Sequence, residues 1–428
     1  MDRPTITIPT AGPLAAQPSP PSGLNAAASP VPWLKPGVVM HDPSFPVDRL
    51  LADFARAVQG RGFAVKGFVQ CNHQPGEGAA PHMDLMDLSN GKVIRIDQHA
   101  GPRGAGIDIA VDTLRRALHE PTDLVVVGRF VALERAGRAL GDAVRDGLST
   151  GFPVLTSVAA RCMAKWQSFS GREGTLLPAN ETALWRWWGP DRLYPDLVHG
   201  VVDGEVRRIV VGPRWLMVEG ERGTGLAHLS KGGDVLRARA GVYRRRGLRG
   251  LAALAHGWDP AERALAVAAI NASYNRRDMD ALPGDGLDDL ARADGRTVLI
   301  GAIPGYRDRM PRAQVVESNP RDGEFPMAAA ECLLPGCTTA ILSAAGLVNR
   351  TLPRLLSLAC PAHVALTGPA TPLTPRLHAY GVGTLAGFVV TDPDGLANAI
   401  AQGDKPWAFA PFGRVVHRRS AMSSPMTA

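Results

Sequence analysis

The chain has 428 residues, of which 45% are hydrophobic, and carries a formal net charge of +7 at pH 7. This length and composition predict a globular protein of about two to four domains. The sequence has no run of about 18 apolar residues and no basic start followed by an apolar stretch, so we expect neither a membrane-spanning helix nor a secretory leader, and we expect a cytoplasmic location.

The positive charge comes mainly from arginine, since only six of the 47 basic residues are lysine. It is densest in one stretch, from Arg237 to Arg249. This stretch fits either a polyanion-binding surface or a solvated loop. Because no nucleic-acid-binding signature accompanies it, we favour the solvated loop and do not expect nucleic acid as a partner.

The cysteines are five in number and scattered, with no CxxC pair among them: Cys71, Cys162, Cys332, Cys337 and Cys360. An odd and dispersed set is typical neither of a disulfide framework nor of a zinc ribbon. We therefore expect reduced thiols.

The N-terminal half divides into an arm and an α/β domain. Residues 1–37 contain nine prolines and almost no charge, a composition typical of a disordered arm. Residues 38–190 alternate short apolar runs with helical stretches. Strands are predicted at 38–41, 64–70, 123–128 and 153–158, with helices between them, which indicates a parallel sheet with crossover connections.

Residues 191–280 predict a smaller α+β domain. Two apolar runs, 206–212 and 214–220, are almost adjacent and are typical of paired strands. A helix is then predicted to begin at Asp259, because Asp259 as N-cap, Pro260 at the first helical position and Glu262 three residues after the cap form a capping box.

The remaining chain predicts an acidic linker at 281–294, a Rossmann-like domain at 295–410 and a tail at 411–428. Five apolar strands recur at intervals of roughly twenty residues, a spacing typical of doubly wound sheets. They are predicted at 296–301, 314–318, 338–344, 362–368 and 386–392.

Candidate ligand-binding residues follow these strands, because open α/β sheets bind ligands beyond the carboxyl ends of their strands. Glycines and backbone amides there could face an anion, and hydroxyls could bind an oxyanion or phosphate. Glu317 could equally be a ribose-binding or a surface carboxylate, and Asn349 could cap a helix or face the ligand. The candidate residues are Gly301, Pro304, Gly305, Glu317, Asn349, Thr367, Gly368 and Thr371.

The first domain offers a different cluster, which mixes soft and hard ligands as a transition-metal site does. Its candidate ligands are Cys71, His73, His82 and Asp84. The spacing matches no standard zinc pattern, so a polar loop beside an edge strand is the alternative. A P-loop is absent, because the one Gly-Lys pair, Gly91 and Lys92, is followed by Val93 instead of a hydroxyl residue.

Residues 195–410 resemble a bacterial and archaeal family described as "putative heavy-metal chelation" proteins. The resemblance rests on VGPRWLMVEGERGTGLAHL, ALAVAAINASYN, VLIGAIPG, VVESNP, VALTGPATPLTP and YGVGTLAGFVVTDPDGLANAIAQG. It implies an enolase N-terminal-like α+β domain at 191–280, followed by the Rossmann-like domain.

Residues 38–188 resemble a second family, related in outline to small P-loop nucleoside-triphosphatases and often found beside molybdate-transport genes. The resemblance rests on VKGFVQ, MDLMDLSNGKVIRIDQ and DLVVVGRF. It implies an NTPase-like α/β domain at 38–190. The loop after the first strand is DPSFPVD instead of a glycine-rich cradle, and Arg129 follows the strand where a magnesium-binding carboxylate is expected, so we expect no hydrolysis.

Three functional hypotheses follow from these observations. The leading one is a protein that binds a transition metal or its oxyanion, molybdate in class, in the cleft between the enolase-like and Rossmann-like domains. A bare cation would need ligands such as Glu317, Glu324 and Cys332. The alternatives are an enzyme with a nucleotide-type cofactor and a scaffold in metal-cofactor assembly, and a homo-oligomer is left open.

Overall fold

A computed structural model describes residues 35–71, 83–96, 105–130, 142, 145, 153–171, 174–292, 294–301, 303, 305–360 and 362–420. The described strands form three sheets, of seven, three and eight strands. None of the described helices is long and apolar enough to cross a membrane.

The first sheet has the strand order β4-β3-β2-β5-β6-β1-β7. Its strands are β1 (Gly37–His41), β2 (Val65–Cys71), β3 (Met83–Asp87), β4 (Val93–Ile96), β5 (Leu124–Arg129), β6 (Val154–Ala159) and β7 (Thr175–Pro178). Its helices are α1 (Val47–Gln59), α2 (Ala105–His119), α3 (Met163–Ser170) and α4 (Glu181–Trp188). Strands β2, β5, β6, β1 and β7 are parallel, and β3 and β4 extend the sheet antiparallel. The central strand β5 is an almost unbroken apolar run because both of its faces are buried.

The second sheet is antiparallel, in the order β10-β9-β8. The chain enters it through α5 (Leu193–His199) and then forms β8 (Val206–Val211), β9 (Trp215–Gly220), β10 (Thr224–His228), α6 (Gly233–Arg244), α7 (Gly247–Ala252) and α8 (Pro260–Tyr274). Asp259 caps α8 as predicted, since its carboxylate accepts hydrogen bonds from the amides of Ala261 and Glu262. The Glu262 carboxylate accepts a hydrogen bond from the Tyr243 hydroxyl, 2.7 Å away.

The third sheet has the order β11-β18-β17-β16-β15-β12-β13-β14. Its strands are β11 (Leu282–Pro283), β12 (Thr297–Ile300), β13 (Gln314–Glu317), β14 (Phe325–Pro326), β15 (Thr339–Ser343), β16 (His363–Thr367), β17 (Val382–Val390) and β18 (Gly413–Arg419). Its helices are α9 (Asp288–Ala291), α10 (Tyr306–Arg309), α11 (Ala330–Leu333), α12 (Ala345–Val348), α13 (Leu352–Leu358) and α14 (Pro393–Gln402). Numbered along the chain, the six parallel strands β12 to β17 lie in the order 3-2-1-4-5-6 of a doubly wound dinucleotide-binding fold. The strand order reverses between β12 and β15.

The α/β fold class predicted from the sequence is confirmed, but the sheet is larger than its five predicted strands. β18 lies in the predicted tail and pairs antiparallel with β17 from Val390 back to Thr384. β11 lies in the predicted linker and pairs with β18. The C-terminal core therefore includes parts of both segments.

A buried carboxylate joins the three parts of the molecule. Asp196 in α5 is fully buried and accepts hydrogen bonds from Arg61, which follows α1, and from Arg376 of the C-terminal part. The Tyr380 hydroxyl donates to the same carboxylate over 2.9 Å. Each guanidinium also donates to the other arginine's backbone carbonyl.

Candidate functional site

Four of the residues at the carboxyl edge of the third sheet form one row across its central strands. Ile300, the last residue of β12, is paired with Val316 on one side and with Leu342 on the other. Their successors therefore lie side by side, and Ser343 is paired in turn with Thr367. The row reads Glu317, Gly301, Ser343 and Thr367, and we call it the edge row.

The edge row flanks the point where the strand order reverses. In open α/β sheets this reversal opens a crevice beyond the carboxyl ends of the strands, and ligands bind there. Sequence reasoning selected three of the four residues because they end strands. It missed Ser343, since only the strand order reveals that β15 lies next to β12.

Gly301 is required at its place in the row. Its backbone φ of 92° is in a region that side-chain-bearing residues rarely adopt, and a Cβ would lie 2.6 Å from the Cβ of Ser343. Its amide donates to the Val316 carbonyl over 2.9 Å, so it is not free for an anion. Gly301 therefore contributes space beside the Ser343 hydroxyl.

Two hydroxyls stand next to this space. Ser343 is half-buried, and its Oγ accepts a hydrogen bond from the Ala345 amide over 3.3 Å, which leaves its own proton to donate. Thr367 is buried and points to the same face of the sheet, because paired residues of neighbouring strands share a face. The pair can donate two hydrogen bonds to one ligand.

The polar groups of the loop after β16 are bonded mainly within the protein and are not open to a ligand. The amides of Gly368 and Thr371 donate to the carbonyls of Ala386 and Gly368, respectively. The Leu373 amide donates to the Asn275 side chain over 2.9 Å, and that side chain donates to the Thr371 carbonyl over 2.9 Å. Thr371 is fully buried, so the loop docks α8 onto the C-terminal sheet.

The other predicted residues of this region lie apart from the row or have local partners. Asn349 is exposed, and its Oδ1 accepts hydrogen bonds from the amide and hydroxyl of Thr351, the residue that precedes α13. Gly305 precedes α10 with a φ of 72°, and the space where its Cβ would lie is open. Pro304 lies outside the described residues.

The two carboxylates and one thiol predicted as ligands of a bare cation have different surroundings. Glu317 is half-buried and accepts a hydrogen bond from the Ser318 amide over 3.0 Å. Glu324 is fully engaged, by the Tyr306 hydroxyl, the Arg307 guanidinium and the Arg321 amide, and these bonds lower its pKa to about 2. Cys332 is exposed.

In the first domain the structure brings Cys71 and Asp84 together as partners in the ladder between β2 and β3. Burial raises the pKa of the Cys71 thiol, and the carboxylates of Asp48 and Asp84 raise it further. His73 and His82 lie outside the described residues. Within the part of the chain that the structure describes, no three or more His, Cys, Asp or Glu side chains are grouped as a metal would require.

A cavity of about 640 Å³ lies between the two halves at the opposite edge of the third sheet. Val364 and Val382, near the starts of β16 and β17, line it together with α4 residues such as Trp185. Two of its polar groups, Arg61 and Tyr380, already bind Asp196. Other polar side chains, such as Thr182 and Arg186, also line the cavity.

Comparison with protein families divides the chain into matching regions. Residues 37–187 match the model of a family described as "Protein of unknown function (DUF2478)". Residues 194–274 and residues 287–419 match the models of two families that carry the same description, "Putative heavy-metal chelation".

Comparison with individual proteins gives partial matches. Molybdenum import ATP-binding protein ModC 2 of Bradyrhizobium diazoefficiens is 34% identical over 157 residues, which is 35% of this chain and 18% of that protein. The chain thus spans less than a fifth of the length of this curated relative.

Solved structures resemble parts of the chain. Two proteins of unknown function from the DUF364 family, of Desulfitobacterium hafniense and Pyrococcus horikoshii, are 24% and 22% identical with TM-scores of 0.48 and 0.46, and each match covers 54% of this chain and 98% of the other. A human cancer-related nucleoside triphosphatase is 19% identical with a TM-score of 0.24, over 29% of this chain and 76% of its own. The chain therefore combines an N-terminal region that matches the DUF2478 family with a C-terminal region that matches both families described as "Putative heavy-metal chelation".

Proposed function

We propose that this protein binds a metal oxyanion such as molybdate at the carboxyl edge of its C-terminal sheet. The observation that carries the proposal is the edge row, in which the Ser343 and Thr367 hydroxyls lie beside the space left by Gly301 at the reversal of the strand order. The crevice over β12 and β15 is the favoured position for the ligand, because the loop after β16 is packed against the end of α8.

The donor chemistry of the row favours an oxyanion over a bare cation. Hydroxyl protons bind the oxygens of an anion, whereas a transition-metal cation prefers imidazole, thiolate or carboxylate ligands. The row supplies two hydroxyls and one carboxylate, that of Glu317.

Two of the comparisons support this choice of ligand. The C-terminal families are described by metal chelation, and the curated relative is named as a molybdenum import protein. Molybdate fits both descriptions, because it is the oxyanion of a metal.

Titration calorimetry of the full chain with molybdate, tungstate, nickel and zinc tests the proposal. We expect heat with molybdate and tungstate. Glu317→Gln separates the two ligand classes, because loss of its negative charge should leave oxyanion binding unchanged or stronger and should weaken cation binding. Binding of nickel or zinc without binding of molybdate or tungstate, and its weakening in Glu317→Gln, would show that the ligand is a cation and not an oxyanion.

A nucleotide-type cofactor is the second candidate, and the observed strand order favours it. Glu317 ends the second strand of a 3-2-1-4-5-6 sheet, where an acidic residue binds a ribose in dinucleotide-binding folds. The loop after β12 lacks the GxGxxG pattern. Mass spectrometry of small molecules released from natively purified protein distinguishes the two, because only the second candidate predicts a released nucleotide.

A further inference from the structure

The cavity of about 640 Å³ between the two halves has the dimensions of a small-molecule site. Pockets for organic ligands measure about 300–1,000 Å³ and occur preferentially at domain interfaces. The walls of the cavity come from α4, from the end of α13 and from the starts of β16 and β17. Most of the lining side chains are apolar, among them Trp185, Leu356, Val364 and Val382. An apolar or aromatic body therefore fits the cavity.

Arg61 is fixed in the cavity wall and keeps donors for a ligand. Its guanidinium carbon lies 4.6 Å from the centre of the Trp185 ring, and its Nη1 donates to the Asp196 carboxylate and to the Arg376 carbonyl. Its Nε and Nη2 have no hydrogen-bond partner among the described residues. Because these two nitrogens form one edge of the planar group, they can donate two parallel hydrogen bonds to a carboxylate.

The charges around the cavity are complementary to one negative charge. The carboxylate of Asp196 is shared by the guanidinium groups of Arg61 and Arg376, so this largely buried cluster keeps one positive charge. Glu181 and Arg186 of α4 also line the cavity, and their charges offset each other. The sum favours a ligand that carries a single negative charge.

Arg186 and His378 add a second cation and a hydrogen-bond acceptor. Arg186 is exposed, and within the described part of the chain its guanidinium makes no hydrogen bond or ion pair. The Nδ1 of His378 lies 2.6 Å from the Val382 carbonyl oxygen, which can only accept, so Nδ1 carries the proton and Nε2 presents a lone pair. Burial lowers the pKa of His378, which keeps the ring neutral. The cavity can thus bind an anionic group and also accept a hydrogen bond from a ligand N–H or O–H.

We propose that this cavity binds an organic monocarboxylate with an aromatic or other apolar body, whose carboxylate is bound by Arg61 with Arg186 as a second cation. Such a ligand contacts α4 of the first half and β16 and β17 of the second, so it bridges the two halves. The cavity lies at the edge of the third sheet opposite the edge row and does not depend on the function of that row. Sequence reasoning missed the cavity, because its lining residues range from Ala57 to Ser420 and meet only after folding.

Calorimetry of the full chain with indole-3-acetate and indole-3-acetamide tests the proposal. The two probes share an aromatic body and an N–H group and differ in the charged carboxylate. We expect the acetate to bind about tenfold or more tightly than the amide, since a hydrogen bond to a charged group contributes about that much affinity. Arg61→Lys keeps a cation for Asp196 but loses the planar fork, and Arg186→Gln loses the second cation, so both should weaken binding of the acetate and leave that of the amide unchanged. The control is Arg312→Gln, an exposed arginine before β13, which should change neither affinity.

Arg186 is exposed, so Arg186→Gln reports on binding even where Arg61→Lys does not fold. Ala379→Leu narrows the cavity and should weaken the binding of both probes. Absence of heat with the acetate, equal affinities for the two probes, or acetate binding that is unchanged in Arg186→Gln and Ala379→Leu would overturn the proposal. A chain with Ser343→Ala and Thr367→Val should still bind the acetate, which keeps this test independent of the edge row.

Discussion

At the scale of single residues, Asp196 joins the two halves of the molecule through buried ion pairs. Its carboxylate is fully buried between Arg61 and Arg376, whose side chains are 18% and 22% exposed. We expect Asp196→Asn to lower the free energy of unfolding by about 3–5 kcal/mol, because the neutral amide leaves the charges of two largely buried guanidinium groups without a carboxylate partner. Urea denaturation measures the change.

The matched control is Asp53→Asn. Asp53 pairs with Arg56 on the exposed face of α1, and its side chain is 50% exposed. Exposed ion pairs contribute at most about 1 kcal/mol. Equal losses in the two variants would mean that the Asp196 contacts contribute no more than a surface pair.

Glu324 gives the molecule a predictable response to acid. Its pKa is lowered to about 2 from 4.5, first by the Arg321 amide and then by the Tyr306 hydroxyl. A carboxyl with a depressed folded pKa contributes stability that is complete above its ordinary pKa and is lost as the pH falls towards the folded value. The difference in unfolding free energy between the wild-type chain and Glu324→Gln should therefore be largest near pH 6 and shrink from about pH 4.5 downwards. A difference that is constant from pH 6 to pH 3 would contradict this assignment.

Sequence reasoning selected those residues of the edge row that can be recognised from their place along one strand. Gly301, Glu317 and Thr367 were selected because each ends or follows an apolar run. Ser343 was not, since its place in the row depends on which strands are neighbours after folding. That property cannot be derived from local spacing.

At the scale of elements, the packing of α8 on the second sheet depends on a glycine. A Cβ on Gly225 of β10 would lie 2.0 Å from the backbone oxygen of Ala268 in α8. We expect Gly225→Ala to destabilise the protein by about 1–3 kcal/mol through overpacking. Thermal unfolding followed by circular dichroism measures the effect.

Gly241 provides the opposite case. It lies in α6, is exposed, and has nothing within 4 Å of where a Cβ would be. Gly241→Ala should stabilise the protein by about 0.5–1 kcal/mol, because alanine loses less backbone entropy in a helix. A loss of stability in this variant would show that α6 is not helical in solution.

The helix α8 and the strand β18 show where element prediction succeeds and where it fails. α8 carries its start signal in adjacent residues, Asp259, Pro260 and Glu262, so its N-terminus was predicted correctly. β18 contains three arginines and a histidine within GRVVHRR, so its two adjacent valines form no recognisable hydrophobic pattern. Its strand state follows from its pairing with β17, a contact that only the folded sheet supplies.

At the scale of the whole molecule, two residues of the predicted arm, Lys35 and Pro36, make contacts with the first domain. The carbonyls of Lys35 and Pro36 accept hydrogen bonds from the Trp187 indole and the Thr175 amide, over 2.8 Å and 2.7 Å. Removal of residues 1–34 should leave the melting temperature unchanged. Removal of residues 1–36 should lower it, since each lost bond contributes about 1 kcal/mol. Equal melting temperatures for the two truncated chains would show that these contacts add nothing.

Binding of a metal oxyanion by the edge row is tested most directly by molybdate titration of full-length variants. The variants are Ser343→Ala, Thr367→Val and the two combined. The control is Thr339→Val, a buried threonine at the opposite end of β15. We predict that each lost hydroxyl weakens molybdate binding at least tenfold, because hydrogen bonds to charged groups contribute about 1.5–3 kcal/mol, and that the control binds as the wild-type chain does. Molybdate affinity that is undiminished in the double variant, or absent from the wild-type chain, would contradict the claim.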